Sequence, residues 1–406
     1  MYNFDEIIDR WHTNAMNTDG FRDYIFHADE SMKFPYKDEE FIRMWVADME
    51  FATPDVVIDG MRERLDKRIF GYTRVFEKSY YEAFSAWCQR RYGWTFDRKE
   101  LVMSNGIIPA LYEMVEYICK PDEKVLFLTP SYAYFKYAAD FSKRGYVCSD
   151  LHDEDGYYTI DFDDLAKKAA DEKTTLFILC NPHNPVGRVW TKEELEKMGD
   201  ICLKHNVVIM DDEIHCDFTY PGFKFTSFMT LDEKYHNSLV LYTSPSKTFN
   251  VAGLQPANII IKNPELRAAY RKANAAAGYS QGSIMGQVAV KSVYTKGDEW
   301  VNELVEYITG NMNYMRDFVK EYFPKAHFVD PEGTYLTWVD FSGYGFTDEE
   351  LEHIMVEEAH LWLDSGKVFG PATAQFERFN LACPRATVVK AMEQLKAALD
   401  NHTKWA

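Results

Sequence analysis

Short apolar runs alternate with amphipathic segments through the middle of the chain. The runs cover residues 124–129, 174–180, 207–211, 239–243 and 258–261. Each run is apolar on both of its faces, which is typical of central strands that helices cover on both sides. Between two of the runs, Thr191 and Glu194 form a capping-box pattern that predicts a helix ending near His205. Strands that alternate with helices predict an α/β fold with a mainly parallel sheet.

The last third of the chain has a different pattern. Its predicted elements are a long helical stretch over about 283–322, strands over 333–340 and 378–382, a helix from the Thr347–Glu350 capping box to about His360, and a terminal helix that begins at Pro384. We therefore expect an N-terminal arm (1–45) that joins the small domain, a large domain (46–285), and a small C-terminal α/β domain (286–406) with a long connecting helix.

Composition narrows the class of protein. The 406 residues contain 45 Lys and Arg against 64 Asp and Glu, a formal net charge of −19. This acidic balance opposes general binding to nucleic acids or to anionic membranes, since both need a cationic surface. No apolar run approaches the roughly 20 residues of a membrane span, and the N-terminus lacks the regions of a signal peptide. The seven cysteines are odd in number and form no C-x-x-C pair, so we expect a cytoplasmic protein with free thiols.

Lys247 follows one of the predicted strands, in a loop of small hydroxyl residues that reads TSPSKTFN over 243–250. A lysine that forms an imine must be fixed and partly desolvated so that its amine can be neutral. The neighbouring hydroxyls of Ser244 and Ser246 could hold a phosphate. The segment alone fits an ordinary solvated surface lysine better.

Two further strand ends carry polar groups. The sequence CNPHNPVGR at 180–188 places Asn184 in a rigid turn, where ligands of α/β sheets commonly bind, although a purely structural turn fits equally well. The sequence DDEIHCD at 211–217 contains Asp212 and His215. This segment does not favour a metal site, because no second cluster with ligand spacing accompanies it. A single carboxylate beneath a heteroaromatic ring needs only Asp212.

Two more segments have candidate binding groups and an ordinary structural alternative. A glycine turn at Gly106 opens a helix whose first N–H groups, those of Ile107 and Ile108, would favour an anion, although many helices start this way. Tyr132 lies just past a strand and could stack on a flat ring, or it could be a core or rim tyrosine.

Three longer patterns complete the set: WVADMEF at 45–51, DEIH at 212–215 and NLACPR at 380–385. Taken in this order, the segments resemble fold-type I enzymes that use pyridoxal 5′-phosphate, within the aminotransferase class I/II superfamily. They are most similar to its bacterial cystathionine β-lyase or cysteine-S-conjugate β-lyase branch. The resemblance covers nearly the whole chain and implies a large cofactor-binding domain with a mostly parallel sheet and a smaller C-terminal domain.

The resemblance also implies a role for each candidate residue. Lys247 would bond the cofactor and move the proton at Cα, and Asp212 would keep the pyridine nitrogen protonated. The other cofactor contacts would be Asn184 and His215 at the phenolic oxygen, Tyr132 on the ring face, Ser244, Ser246 and the N–H groups of Ile107 and Ile108 at the phosphate, and Tyr72 from a neighbouring subunit. Arg378 would bind the substrate α-carboxylate, which backbone at Ala47 would also approach.

One position departs from the pattern of many aminotransferases, which have a phosphate-binding arginine eight residues after the lysine. Gln255 stands there in this chain, which weakens the aminotransferase interpretation without excluding it. We therefore expect a carbon–sulfur β-lyase that cleaves S-substituted cysteines to a thiol, pyruvate and ammonia. The alternatives are an aminotransferase of class I/II and a cofactor-bearing regulator that acts by protein contact. The expected partners are an amino-acid substrate and a second copy of the chain.

Overall fold

The computed structural model describes residues 2–24, 31, 33–74, 77–278 and 282–403. The strands are Ile42–Arg43 (β1), Leu101–Ser104 (β2), Lys124–Thr129 (β3), Gly145–Glu154 (β4), Tyr157–Ile160 (β5), Thr174–Cys180 (β6), Val208–Asp212 (β7), Leu239–Thr243 (β8), Ala257–Ile260 (β9), His327–Val329 (β10), Leu336–Asp340 (β11), Leu361–Trp362 (β12), Asp364–Ser365 (β13) and Phe376–Asn380 (β14). The helices are Phe21–Tyr24 (α1), Asp55–Leu65 (α2), Lys78–Tyr92 (α3), Ile107–Ile118 (α4), Tyr134–Phe141 (α5), Phe162–Ala169 (α6), Lys192–Lys204 (α7), Pro245–Thr248 (α8), Pro264–Ala276 (α9), Ile284–Lys296 (α10), Asp298–Tyr322 (α11), Asp348–His353 (α12) and Arg385–Thr403 (α13).

A large sheet organises the first two thirds of the chain. Its strands lie in the order β2-β9-β8-β7-β6-β3-β4-β5. The strands β8, β7, β6, β3 and β4 run parallel, while β9 and β5 are antiparallel to their neighbours. The five apolar runs of the sequence form β3, β6, β7, β8 and β9 at the centre of this sheet. The expected α/β fold with a mainly parallel sheet is confirmed.

The apolar character of both strand faces has a direct structural cause. In β6, Phe177 and Leu179 belong to one hydrophobic core, and Leu176 and Ile178 belong to another on the opposite face. Side chains of a strand alternate between the two faces of its sheet. A strand that separates two cores therefore has no polar face, and its sequence reads as a continuous apolar run.

A smaller antiparallel sheet, in the order β10-β11-β14-β13, follows in the last third of the chain. The N-terminal segment joins this part of the protein, because β1 pairs in parallel with β12 and Ile42 lies opposite Leu361. The domain boundaries expected from the sequence stay a prediction. Within the described residues, the helices lack the combined length and apolar character that a bilayer crossing needs.

The long helical stretch predicted over 283–322 is two helices, α10 and α11, that meet at Gly297. A Cβ atom on Gly297 would lie 2.5 Å from a ring carbon of Phe249, so the close approach of this ring requires glycine there. The helix predicted to reach His360 also differs. It begins at the Thr347 capping box, but α12 ends at His353 and a π-helical turn follows over Ile354–Glu358.

Candidate active site

A cavity of about 510 Å³ lies at the carboxyl ends of β6, β7 and β8, between the start of α4 and strand β14. Ten of the residues singled out in the sequence line it: Ala47, Ile107, Ile108, Tyr132, Asn184, Asp212, His215, Ser246, Lys247 and Arg378. The other lining residues are Trp45, Val46, Asn105, Gly106, Pro109, Cys180, Ile214, Ala252, Gln255 and Asp364. The fold therefore brings together segments that lie more than 300 positions apart in the sequence.

Lys247 is delivered by the short helix α8, directly after β8. The hydroxyl of Ser244 caps this helix by accepting the backbone N–H of Ser246 at 3.1 Å. The Lys247 Nζ donates to the carbonyl oxygen of Ala47 at 2.6 Å. Burial lowers the pKa of Lys247 to about 8, and the positive charge of Arg378 acts in the same direction. An appreciable fraction of this amine is therefore neutral near neutral pH and able to act as a nucleophile.

Asp212 ends strand β7 and faces the cavity beside Lys247. Its Oδ1 accepts the backbone N–H of Ile214 at 3.2 Å. Burial raises the pKa of Asp212 to about 7, and this hydrogen bond and the charge of Lys247 oppose the rise only in part. A carboxyl group in such a place gains from a cationic partner inside the cavity.

His215 lies three residues further along, buried among the same elements. Burial lowers the pKa of His215 to about 3, and the charges of Lys247 and Arg378 add to the effect. The imidazole is therefore neutral. Its ring packs edge-on against Tyr335 with the centroids 5.8 Å apart, and its Nδ1 has no hydrogen-bond partner within the described ranges. The side chain keeps a polar atom for a group bound in the cavity.

The start of helix α4 lines the cavity and suits an anion. Gly106 has a φ of 109°, a conformation that favours glycine, and it leads into α4, a helix of 12 residues. The first N–H groups of this helix, among them those of Ile107 and Ile108, have no partner within the helix and carry its positive dipole end. Ser246 lies beside them. Ser244 does not line the cavity, since its hydroxyl binds the Pro256 carbonyl oxygen at 2.5 Å and the Ser246 hydroxyl at 2.7 Å.

Arg378 is a buried cation in β14 with 3% of its surface exposed. Its Nη1 donates to Asn184 Oδ1 at 3.0 Å and its Nη2 donates to the Trp45 carbonyl oxygen at 2.8 Å. The Nη2 also forms an ion pair with the carboxylate of Asp364. The Arg378 Nε is buried and has no hydrogen-bond partner in the described part of the chain. Asp364 was not predicted from the sequence. The signal that could have indicated it is an acidic residue directly after the apolar sequence LWL at 361–363.

Tyr72 is a predicted site residue that stands apart from the cavity lining. Its side chain is fully exposed in the single chain, and it does not line the cavity. Tyr132 does line the cavity, and its ring stacks on that of Tyr134 with the centroids 5.1 Å apart.

The fold and the position of the lysine define the fold-type I class that the sequence predicted. The chain belongs to the aminotransferase class I and II family, whose profile matches residues 39–395. The family prediction is therefore confirmed.

Three relatives place the chain more narrowly. It is 38% identical to cystathionine beta-lyase PatB of Bacillus subtilis (strain 168) over 88% of this chain and 92% of that protein. The crystal structure of the PLP-bound C-S lyase from Staphylococcus hominis is similar with a TM-score of 0.90 and 41% identity, covering 98% of each chain. Cystalysin from Treponema denticola, whose crystal structure contains pyridoxal 5′-phosphate, has a TM-score of 0.94 and 33% identity over 99% of this chain and 100% of that chain.

Proposed function

We propose that the protein is a pyridoxal 5′-phosphate-dependent carbon–sulfur β-lyase that cleaves S-substituted cysteines to a thiol, pyruvate and ammonia. The observation that carries the proposal is one cavity in which a lysine with a lowered pKa, a buried carboxyl group and a helix start converge. The sequence-based prediction agrees with the names of PatB and of the Staphylococcus hominis enzyme. Both are described as enzymes of carbon–sulfur or cystathionine cleavage.

The residues present fit this cofactor. Its phosphate suits the first N–H groups of α4 and the hydroxyl of Ser246, with Ser244 orienting Ser246. Its protonated ring nitrogen would be a cationic partner for the carboxyl group of buried Asp212. Because Asn184 Oδ1 already accepts from Arg378, the amide nitrogen of Asn184 is the group that would donate to the phenolic oxygen, beside the unpartnered Nδ1 of His215. Tyr132 would stack on the ring.

The cofactor, when bound, supplies an electron sink for the electron pair of the substrate Cα–H bond. Lys247 is the residue that would bond the cofactor, and its Nζ would accept the substrate Cα proton. Arg378 holds the substrate α-carboxylate so that this proton faces Lys247. The Cβ–S bond then breaks with its electron pair passing to sulfur, and water converts the remaining three-carbon fragment to pyruvate and ammonia.

A test without an amino acceptor separates this activity from its alternatives. Purified protein is incubated with S-methylcysteine or cystathionine in the absence of any 2-oxo acid, and thiol, pyruvate and ammonia are measured. The proposal expects the three products in equal amounts, and it expects Lys247→Ala to abolish them while the protein stays folded by circular dichroism. Amino transfer that strictly requires a 2-oxo acid and releases no thiol would overturn the proposal in favour of an aminotransferase.

We also infer that two copies of the chain form the working enzyme. Ile69, Phe70 and Tyr72 are respectively 70%, 55% and 100% exposed, which is unusual for three neighbouring large apolar or aromatic side chains. A second copy would cover them, with Tyr72 reaching the phosphate site of that copy. Sedimentation of the wild-type protein should give a dimer, and Phe70→Asp should shift it toward monomer. A monomeric wild-type protein would contradict the inference.

The cytoplasmic location stays a prediction, supported by seven free cysteines.

A further inference from the structure

Asp364 and Arg378 are built as a cross-strand pair at the edge of the cavity. Asp364 begins β13, and the antiparallel register places it directly opposite Arg378 on β14. Residues that face each other in this way project their side chains on the same side of the sheet. Both residues are buried, with 7% and 3% exposed, and both line the cavity. The ion pair is therefore part of the cavity wall and does not lie on the protein surface.

A count of the Arg378 donors defines what remains for a ligand. A guanidinium has five N–H donors, two on each Nη and one on Nε. The two hydrogens of Nη2 are used by the Trp45 carbonyl oxygen and the Asp364 carboxylate. One hydrogen of Nη1 is used by Asn184. The second Nη1 hydrogen and the Nε hydrogen are left over, but they lie on different edges of the guanidinium and do not converge on one carboxylate.

The charges lead to the same conclusion. A buried arginine needs a counter-charge, and Asp364 supplies it before any substrate enters. A substrate carboxylate is then a second anion beside an already neutralised cation. It must share Nη2 with Asp364 and the Trp45 carbonyl oxygen, or bind through a single remaining N–H.

We propose that Asp364 is the positioning and specificity residue for Arg378: it fixes the guanidinium and weakens the affinity of the site for carboxylates by competing for it. This inference rests on the proposed function, in which Arg378 binds the substrate α-carboxylate. The ion pair with Asp364 holds the guanidinium of Arg378 so that it faces the cavity. The negative charge of Asp364 keeps simple carboxylates from saturating the site.

The test compares ligand affinities of the cofactor-loaded enzyme by isothermal titration calorimetry. The probes are 3-(methylthio)propanoate, which has the carboxylate and sulfur of a substrate but no amine, and its carboxamide, which has no charge. Asp364→Asn keeps an oxygen that can accept from Arg378 but removes the negative charge. We expect it to bind the carboxylate about tenfold more tightly, or about 1.4 kcal/mol, and the carboxamide with unchanged affinity.

Steady-state kinetics distinguish this role from a merely structural one, because they measure KM and kcat separately. Asp364→Asn should lower KM for S-methylcysteine while kcat changes less than about twofold, because the arginine stays in place. Asp364→Ser, which is also neutral but smaller, should tighten carboxylate binding in the same way and keeps the test valid if the asparagine variant folds poorly. Glu377→Gln is the matched control: this carboxyl is also buried and adjoins Arg378 in sequence, but it projects to the opposite face of β14.

The outcomes separate the two proposals. Equal or weaker carboxylate affinity in folded Asp364→Asn and Asp364→Ser, together with normal pyruvate formation by the wild type, would overturn the role of Asp364 and leave the lyase proposal intact. Tighter carboxylate binding in these variants, with no pyruvate from any S-substituted cysteine, would support Asp364 and refute the lyase.

Discussion

The lowered pKa of Lys247 is open to direct measurement in the cofactor-free protein. The ordinary value for a lysine is 10.5, and burial of the amine is the main cause of its fall to about 8. Two carboxylates, those of Asp48 and Asp212, act against the fall, while Arg378 adds to it. The resulting value is therefore a balance between a desolvated position and nearby charges of both signs.

The consequence for reactivity is large. At pH 7 an amine with a pKa of 8 is about 10% neutral, whereas one with a pKa of 10.5 is about 0.03% neutral. The neutral, nucleophilic fraction is thus roughly 300-fold greater than that of an unperturbed lysine. This factor allows Lys247 to bond a carbonyl compound quickly at neutral pH without a separate base.

Competitive labelling measures the titration midpoint of Lys247, the pH at which half of its amine is neutral. The cofactor-free protein is treated with trace acetic anhydride from pH 6 to 11 together with a free lysine analogue, and the peptide that contains Lys247 is quantified by mass spectrometry. The labelling of Lys247 should reach half of its maximum near pH 8. Lys234 is an internal comparison, because hydrogen bonding to Asp200, at 2.7 Å, raises its pKa. Asp48→Asn removes an opposing charge and should move the Lys247 midpoint lower. A midpoint near 10.5 would refute the reasoning.

Three further predictions concern stability and cofactor retention. Burial raises the pKa of Glu113 from 4.5 to about 7, so its contribution to stability is complete below pH 4.5 and is lost as the pH rises through 7. The free energy of unfolding is measured with urea at pH 5 and at pH 8. Glu113→Gln should reduce the difference between these two values by up to ~3 kcal/mol. Glu332 accepts from Arg188 Nε at 2.9 Å and from the Val189 N–H at 2.8 Å in a buried site. Glu332→Gln should cost about 3–5 kcal/mol of unfolding free energy, against less than about 1 kcal/mol for Asp330→Asn, whose ion pair with Arg316 is exposed. Gly106→Ala forces a side chain into a φ of 109° and should weaken pyridoxal phosphate retention on dialysis by about tenfold.

The sequence predicted the centre of the large sheet because two cores impose a simple pattern on it. The runs 124–129, 174–180 and 239–243 match β3, β6 and β8 to the residue. Strand β4 was not predicted, since it lies near the edge and six of its ten residues are exposed. Its alternating exposure leaves no continuous apolar run for the sequence to reveal.

The residues of the candidate site also differ in whether the sequence predicts them. Lys247, Asp212 and Asn184 follow predicted strands, and parallel strands end at one edge of a sheet, so their convergence was foreseeable. Asp364 was not foreseeable, although it lies only 14 positions before Arg378. The two-residue strand β13 has no periodicity to read, and only the register of β13 on β14 brings the two side chains together.

The charge of −19 has little bearing on the cavity, where the balance is set locally. Among the described lining residues the cations are Lys247 and Arg378, and the carboxyl groups are Asp212 and Asp364. Asp364 cancels the charge of Arg378, and Lys247 is itself partly neutral near pH 7. Gln255 adds no charge at the position where an arginine would be expected. A phosphate in this cavity would therefore depend on the oriented N–H groups of α4, whose favourable field needs no nearby cation. The geometry at Gly106 then matters more for this protein than it would in a relative with an arginine at that position.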